Sequence, residues 1–252
     1  MAVKIADDVA QVLRDSVVIG NTLTLPNKLE RTLYQRVNKI LEIAGFKWNR
    51  KEACHNAVNG NAGLTLALAL GEGQIVDPKK EFDFFETPLD LAAEMAKRLN
   101  IQPGDFVLEP SAGHGRLALA AAQYTLKENV TCYEVQAPSC EVLKQRGFER
   151  VYCEDFLDIK QHQVDRVIAN FPFSGAQDLT HCLHAYKFLK PGGCMACITS
   201  VSWEWRTGKK FEEFRAWMDS LHGNATRIRL PAGTFKDSGT NVPALLLIID
   251  KE

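Results

Sequence analysis

Apolar and polar residues alternate between helical and strand-like spacing over the last two thirds of the chain. Short apolar runs typical of buried strands are predicted at 106–109, 130–135, 150–153, 166–169, 195–199, 225–230 and 244–249. Stretches with helical spacing separate them, at 89–99, 117–123, 139–145, 177–189 and 211–221. Strands that alternate with helices form right-handed crossovers. The pattern therefore predicts a doubly wound α/β domain with a mostly parallel, seven-stranded sheet.

The first 80 residues follow another pattern. Short strands are predicted at 17–19 and 23–25, a helix from Leu29 to Ala44 that stops at Gly45, and a short helix at 63–70. We predict a small amino-terminal α+β domain over 1–80 and a larger domain over 81–252. The polar, proline-containing segment Asp77-Pro-Lys-Lys-Glu81 is the predicted boundary.

Composition places the chain among ordinary globular proteins, because 46% of its 252 residues are hydrophobic and 24% are charged. The longest apolar stretch, Ala62 to Leu70, is too short for a membrane span, and the charged first twenty residues do not resemble a signal peptide. Of the seven cysteines, only Cys194 and Cys197 have the Cys-x-x-Cys spacing, and no second pair or nearby histidine completes a zinc site. We expect reduced thiols, no bound metal and a cytoplasmic protein.

The net charge of −1 hides a local excess of positive charge between Pro26 and His55, where seven basic residues face three acidic ones. A local patch is what phosphate contact requires. The alternative is that these residues form ordinary solvated helix faces.

The turn after the first strand of the large domain reads Glu109-Pro-Ser-Ala-Gly-His-Gly-Arg116. Glycines at the carboxyl end of a strand let the backbone approach a ligand closely, and open α/β sheets bind cofactors there. Glu134 ends the next predicted strand, where a carboxylate can accept from ribose hydroxyls, and Asp155-Phe156 follows the third. Because there is no phosphate-binding lysine motif, the three together predict an adenosine-containing ligand without polyphosphate.

The fourth strand ends in Asn170-Phe-Pro-Phe-Ser174, and Phe85-Glu-Thr-Pro88 precedes the large domain. With the glycine loop, these motifs resemble the class I S-adenosylmethionine-dependent methyltransferases, specifically the adenine-N6 DNA methyltransferases. The motif order is similar to the gamma arrangement. The amino-terminal segment, with Lys47-Trp-Asn-Arg50, resembles that of phage and mobile-element members, which implies protection of mobile DNA from restriction. The fold implied is the Rossmann-like methyltransferase fold.

The resemblance also implies roles for individual residues. S-adenosylmethionine would be bound by Thr87, Glu109, Ser111, Ala112, Gly113, Gly115, Glu134, Asp155 and Phe156. Within that set the glutamate at 109 and the loop would hold the methionine, the glutamate at 134 the ribose, and the last two the adenine. The catalytic residues would be Asn170, Phe171, Pro172 and Phe173.

Within that tetrapeptide, the asparagine and the carbonyl of residue 171 would accept hydrogen bonds from the target amino group of a flipped base, with Phe173 stacked on it. The family nearly always has proline where Phe171 stands. Since the contact is through a carbonyl, we expect retained chemistry with altered geometry or slower turnover.

Target recognition is expected to be weak, because predicted strands and helices take up the chain after Asn170. We expect Lys47, Arg50 and Lys51 to contact duplex DNA through its phosphates. Trp48 is predicted to anchor the core of the small domain, and the alternative is that it is a wedge or a stacking residue for the nucleic acid. Phe235 is predicted to form a wall of the base pocket, with a plain core role nearly as well supported.

Two other functions fit the same residues. One keeps the cofactor but changes the acceptor to RNA or to a protein glutamine amide. The other is a non-catalytic module that binds S-adenosylmethionine or DNA, in which Phe171 marks lost activity. The residues leave the oligomeric state open.

Overall fold

The computed structural model describes residues 2–58, 62–76, 85–160, 162–236 and 242–252. The chain divides into two compact units, residues 1–82 and 83–252. The predicted boundary segment 77–81 lies outside the described residues, so the exact division at residue 80 stays a prediction.

The first unit contains short strands and three helices among its described residues. The strands are β1 (Ala2–Lys4), β2 (Val17–Ile19), β3 (Thr22–Thr24), β4 (Phe46–Asn49), β5 (Cys54–Ala57) and β6 (Gln74–Val76), and the helices are α1 (Asp7–Arg14), α2 (Arg31–Ala44) and α3 (Ala62–Glu72). β1 pairs with β6, and the other four form an antiparallel sheet in the order β2-β3-β5-β4.

Local sequence explains where α2 begins and ends. The Glu30 carboxylate accepts a hydrogen bond from the backbone N–H of Thr32 at 3.0 Å, which caps the first turn. Gly45 ends the helix in the left-handed conformation, with a φ of 99°, as the sequence predicted. The inner face of the helix, with Val37 and Leu41, is fully buried in the core of this unit.

The second unit contains one large sheet flanked by helices. Its strands are β7 (Val107–Glu109), β8 (Val130–Tyr133), β9 (Arg150–Tyr152), β10 (Val164–Asn170), β11 (Leu189–Ser200), β12 (Ala225–Arg229) and β13 (Ala244–Asp250). Its helices are α4 (Leu89–Arg98), α5 (Arg116–Ala121), α6 (Ala137–Gln145), α7 (Gln177–Phe188) and α8 (Lys209–Ser220).

Among the described residues the seven strands form one sheet in the order β12-β13-β11-β10-β7-β8-β9. All pairings are parallel except those of β13, which runs antiparallel to β11 and β12. Alternate strand residues face two separate hydrophobic clusters: α7 and α8 cover one face, and α4, α5 and α6 cover the other. The predicted doubly wound, mostly parallel sheet is confirmed.

One predicted turn is part of a strand. Residues 191–193, expected to lead into the fifth strand, lie inside β11, and the pairing with β10 shifts register between Val164 and Arg166. A Cβ at Gly193 would lie 2.9 Å from the carbonyl oxygens of Asp165 and Lys190, so this irregularity requires glycine.

Candidate functional site

The loop after β7 lies at the point where the strand order reverses, since β10 flanks β7 on one side and β8 on the other. Open α/β sheets bind ligands at such a point. Gly113 and Gly115 both have positive φ, at 51° and 76°. A Cβ on Gly115 would lie 2.6 Å from Cδ2 of Leu143, so the loop also needs glycine for close packing on α6. The predicted roles of Ser111 and Ala112 in this loop stay predictions.

Glu109, the last residue of β7, is a buried carboxylate. It is 1% exposed, and no described residue donates a hydrogen bond to its Oε2. Burial raises its pKa well above the ordinary value. A buried acceptor without a donor is costly, so this oxygen is suited to a ligand that brings a donor.

Glu134 follows β8 and faces the same glycine loop. Its Oε2 accepts from the backbone N–H of Gly113 at 2.7 Å, and its Oε1 accepts from that of Gln136 at 2.8 Å. The two bonds fix the carboxylate against the loop, and burial raises its pKa. Each oxygen accepts one backbone bond and retains a lone pair for a further donor.

Asp155 and Phe156 follow β9, and the structure separates their environments. Asp155 is exposed, and its Oδ1 accepts from the backbone N–H of Leu157 at 2.9 Å. Phe156 is 2% exposed, with its ring centroid 4.8 Å from that of His184 and 5.0 Å from that of Phe188. The ring predicted to stack on adenine is thus a member of the core, and Asp155 is the accessible residue of the pair.

Asn170 ends β10, next to β7 in the sheet, and its side-chain amide is held by the Phe85–Pro88 segment. Its Nδ2 donates to the carbonyl oxygen of Phe85 at 2.9 Å and lies 3.2 Å from Oγ1 of Thr87. Its Oδ1 accepts no hydrogen bond from any described residue. The Phe85–Pro88 segment therefore fixes the orientation of the Asn170 amide, with its nitrogen engaged and its oxygen available.

A charged cluster missed by the sequence analysis holds that element to the glycine loop. Glu86 lies 2.7 Å from Nδ1 of His114 and 2.6 Å from Nη2 of Arg116, and Nη1 of Arg116 donates to the carbonyl of Thr87 at 3.0 Å. Burial acts to raise the pKa of Glu86, but the bond from His114 and the charge of Arg116 lower it overall. His114, which lies between the two glycines of the loop, is a member of this cluster.

Phe171 stands in the place of the usual proline as a core residue. It is 2% exposed, and its ring centroid lies 5.7 Å from that of His181 on α7. Pro172 and Phe173 are partly exposed, and Phe173 packs against the cluster that also contains Phe235. Phe235 is 3% exposed, so the predicted wall of the base pocket is buried in this structure.

The predicted phosphate contacts belong to the first unit. Lys47, Arg50 and Lys51 are exposed, in β4 and the turn that follows it. Trp48 is 47% exposed, so its predicted role as a core anchor is wrong. As the third residue of a four-residue edge strand, it lies at the margin of the core and not inside it.

In the part of the chain that the structure describes, no group of three or more histidine, cysteine, aspartate or glutamate side chains is placed to hold a metal ion. None of the helices described there is long and apolar enough to cross a bilayer.

Several solved methyltransferase structures are similar to this chain. A methyltransferase subunit of a type I restriction-modification system from Streptococcus thermophilus is 22% identical, with a TM-score of 0.56, over 67% of this chain and 45% of that chain. The M protein of the type I restriction enzyme EcoKI is 16% identical, with a TM-score of 0.58, over 89% and 55%. A proposed RNA methyltransferase from Pyrococcus horikoshii is 22% identical, with a TM-score of 0.50, over 69% and 89%. No protein-family profile matches.

The chain spans about half the length of the two type I subunits. At these identities the likeness is one of fold, and it agrees with the seven-stranded sheet and the antiparallel β13. The fold implied by the sequence motifs is confirmed: the second unit has the Rossmann-like fold of the S-adenosylmethionine-dependent methyltransferases.

Proposed function

We propose that this protein is an S-adenosylmethionine-dependent methyltransferase that methylates the N6 amino group of adenine in DNA, with low sequence specificity. The fold shared with DNA methyltransferase subunits supports the general reaction. The adenine acceptor is supported by the residues at the end of β10.

The observation that carries the proposal is the orientation of the Asn170 amide. Its nitrogen is engaged by Phe85 and Thr87, so its oxygen is the atom left to accept from a substrate. The amino group of adenine is a poor nucleophile, because its lone pair is delocalised into the ring. Two acceptors, this Oδ1 and the backbone carbonyl of Phe171, would draw the amino hydrogens and direct the lone pair outward. Such positioning needs no covalent intermediate.

The residues around the glycine loop fit the cofactor. Glu109 offers a buried, unpartnered carboxylate oxygen to a donor such as an ammonium group, and Glu134 offers two oxygens suited to ribose hydroxyls. Asp155, which is exposed after β9, would accept from the adenine amino group. When bound, S-adenosylmethionine supplies an electrophilic methyl group on its sulfonium sulfur.

The target base has to leave the duplex to reach Asn170, which costs on the order of a few kcal/mol. Stacking on an aromatic ring returns ~1–3 kcal/mol per base. Phe173, which is partly exposed two residues after the end of β10, is the ring we assign to that contact. Phe235 contributes to the pocket only if its side chain leaves the core on binding.

The test is incubation with labelled cofactor and, separately, duplex DNA, RNA and protein, followed by nucleoside and amino-acid analysis. We expect N6-methyladenine in DNA, and its loss in Asn170→Ala. If the labelled methyl group is found in RNA or on protein glutamine while DNA stays unlabelled, the acceptor is RNA or protein and not DNA. Label transfer by Asn170→Ala at the wild-type rate would refute the catalytic role.

A further inference from the structure

A cleft in the first unit combines aromatic rings with positively charged side chains. Its volume is about 520 Å³, within the range of roughly 300–1,000 Å³ for small-ligand pockets. Its lining includes the aromatic rings of Tyr34 and Trp48, the cations Lys28 and Arg31, and the aliphatic side chains of Leu25 and Leu29.

Trp48 is held in a fixed orientation and yet remains half exposed. Its ring centroid is 5.1 Å from that of His55, its cross-strand partner, and 6.5 Å from that of Tyr34, which it meets at 86°. His55 is itself fully buried, and its Nε2 lies 3.0 Å from Oδ1 of Asn38. The two neighbouring rings fix the indole of Trp48 while 47% of the residue stays exposed. The exposed part of the indole is therefore a preorganised surface for stacking.

The two cations of the cleft are not paired with acidic residues in the part of the chain that the structure describes. Lys28 and Arg31 are exposed and form no ion pair with a described residue. By contrast Arg36, on the same helix as Arg31, pairs with Asp8 at 2.5 Å. Glu30, the acidic residue between the two cations, is used as the helix cap through Thr32. The cleft therefore presents positive charge beside an aromatic ring.

We propose that this cleft binds an unpaired segment of a nucleic-acid strand, with a base stacked on Trp48 and the adjacent phosphates on Lys28 and Arg31. Aromatic rings beside positive charge are the general means of holding single strands without reading their sequence. The inference rests on the proposed function in taking the partner to be nucleic acid. It also revises the predicted contacts, since Lys47, Arg50 and Lys51 do not line the cleft.

The alternation along β4 explains that difference. Phe46 and Trp48 point to one face of the strand, with Phe46 buried in the core, so Lys47 points to the other. Lys47 therefore does not share the face of the strand that carries the stacking ring.

The test measures binding of the full-length protein to a fluorescently labelled oligo-dT of about 12 nucleotides by anisotropy. Oligo-dT contains no adenine, so binding is scored without methyl transfer. We expect Trp48→Ala to weaken binding at least fivefold and Trp48→Phe to stay within about threefold of wild type. Circular dichroism and a thermal melt confirm that each variant is folded.

The cations are tested by the salt dependence of the same binding. Arg31→Gln and Lys28→Gln should each reduce the slope of log K against log salt by about 0.7, the value for one phosphate contact on a single strand. Arg36→Gln is the matched control, and we expect the wild-type slope for it, because this charge is already balanced by Asp8.

Several results would overturn the proposal. One is that Trp48→Ala binds oligo-dT as tightly as wild type does. Another is that Trp48→Phe loses as much affinity as Trp48→Ala, and a third is that Arg31→Gln and Arg36→Gln change the salt slope equally. If free dTMP displaces the oligonucleotide when its molar concentration equals that of the nucleotides in the strand, the cleft would be assigned to free nucleotides. Displacement by poly-glutamate at matched charge would assign it to acidic polypeptides.

The two proposals fail separately. If wild-type protein methylates no adenine but Trp48→Ala loses oligo-dT binding, the cleft assignment stands without the proposed function. If adenine is methylated and Trp48→Ala binds as wild type does, the proposed function stands without the cleft.

Discussion

The hydrogen bond between Thr87 and the Asn170 amide can be removed with little change in shape by Thr87→Val. Thr87 is 4% exposed, and its Oγ1 lies 3.2 Å from Nδ2 of Asn170. Valine keeps the volume and removes the hydroxyl. The amide then retains only its bond to the carbonyl of Phe85, at 2.9 Å, and is less firmly oriented.

The expected effect follows from one hydrogen bond. A net contribution of about 0.5–1.5 kcal/mol corresponds to roughly a two- to thirteen-fold decrease in kcat, if the bond acts through the orientation of the reacting acceptor. Since the Phe85 bond remains, we expect the lower half of that range. Thr87→Ser is the matched control, because it keeps the hydroxyl and loses only a methyl group, and its kcat should stay within about twofold of wild type.

The assay is steady-state transfer of labelled methyl groups to an adenine-containing duplex, with kcat and the KM for S-adenosylmethionine measured separately. A kcat of Thr87→Val equal to wild type would refute the positioning argument. So would an equal decrease in Thr87→Ser. A change confined to the KM for the cofactor would show that this hydroxyl serves the cofactor, as the sequence motif implied, and not the amide.

Three further predictions concern stability. Gly115→Ala should lower the free energy of unfolding by about 2–3 kcal/mol, because it combines a φ of 76° with a 2.6 Å contact between the new Cβ and Leu143. Gly175→Ala, where φ is 59° and the space is open, should lower it by only ~1 kcal/mol; equal losses in urea unfolding would contradict the role of the contact. Burial raises the pKa of Glu109 well above its ordinary value of 4.5. Ionisation of Glu109 therefore destabilises the fold as the pH rises above that value, and the stability of Glu109→Gln relative to wild type should increase from pH 5 to pH 8; a pH-independent difference would contradict this. Phe171→Pro keeps the carbonyl but removes a buried ring, so we expect a stability loss of about 3 kcal/mol by urea titration and no faster methylation; a faster rate would show that proline suits the site better.

The sequence predicted the large sheet well, because each strand there is an apolar run bounded by turns and helices of a different periodicity. In the first unit it missed β4 and β5, whose four-residue strands mix Trp48 and Lys47 with polar neighbours and carry no clear alternation. It also missed α1, although Val9 and Leu13 lie four residues apart and are both buried. Short elements are decided by tertiary packing more than by local pattern.

At the candidate site, motifs named the residues but not their partners. Nothing in the spacing of Glu86 and His114, which are 28 residues apart, predicts that they lie 2.7 Å from each other. The burial of Phe156 and Phe235 could not be predicted either. The local sequence around an aromatic residue beside a motif is the same whether its ring lines a pocket or packs in a core. Such distinctions depend on which helix covers each loop.

The hydrogen bonds between the Phe85–Pro88 segment and Asn170 have a consequence for truncated forms of the protein. The seven strands of the sheet all begin after residue 106, so a fragment starting at Leu89 would contain every one of them. It would lack both groups that orient the amide. We expect such a fragment to keep the sheet and to leave the Asn170 amide without its two hydrogen-bond acceptors, and a separate peptide with the missing residues to restore the orientation of the amide.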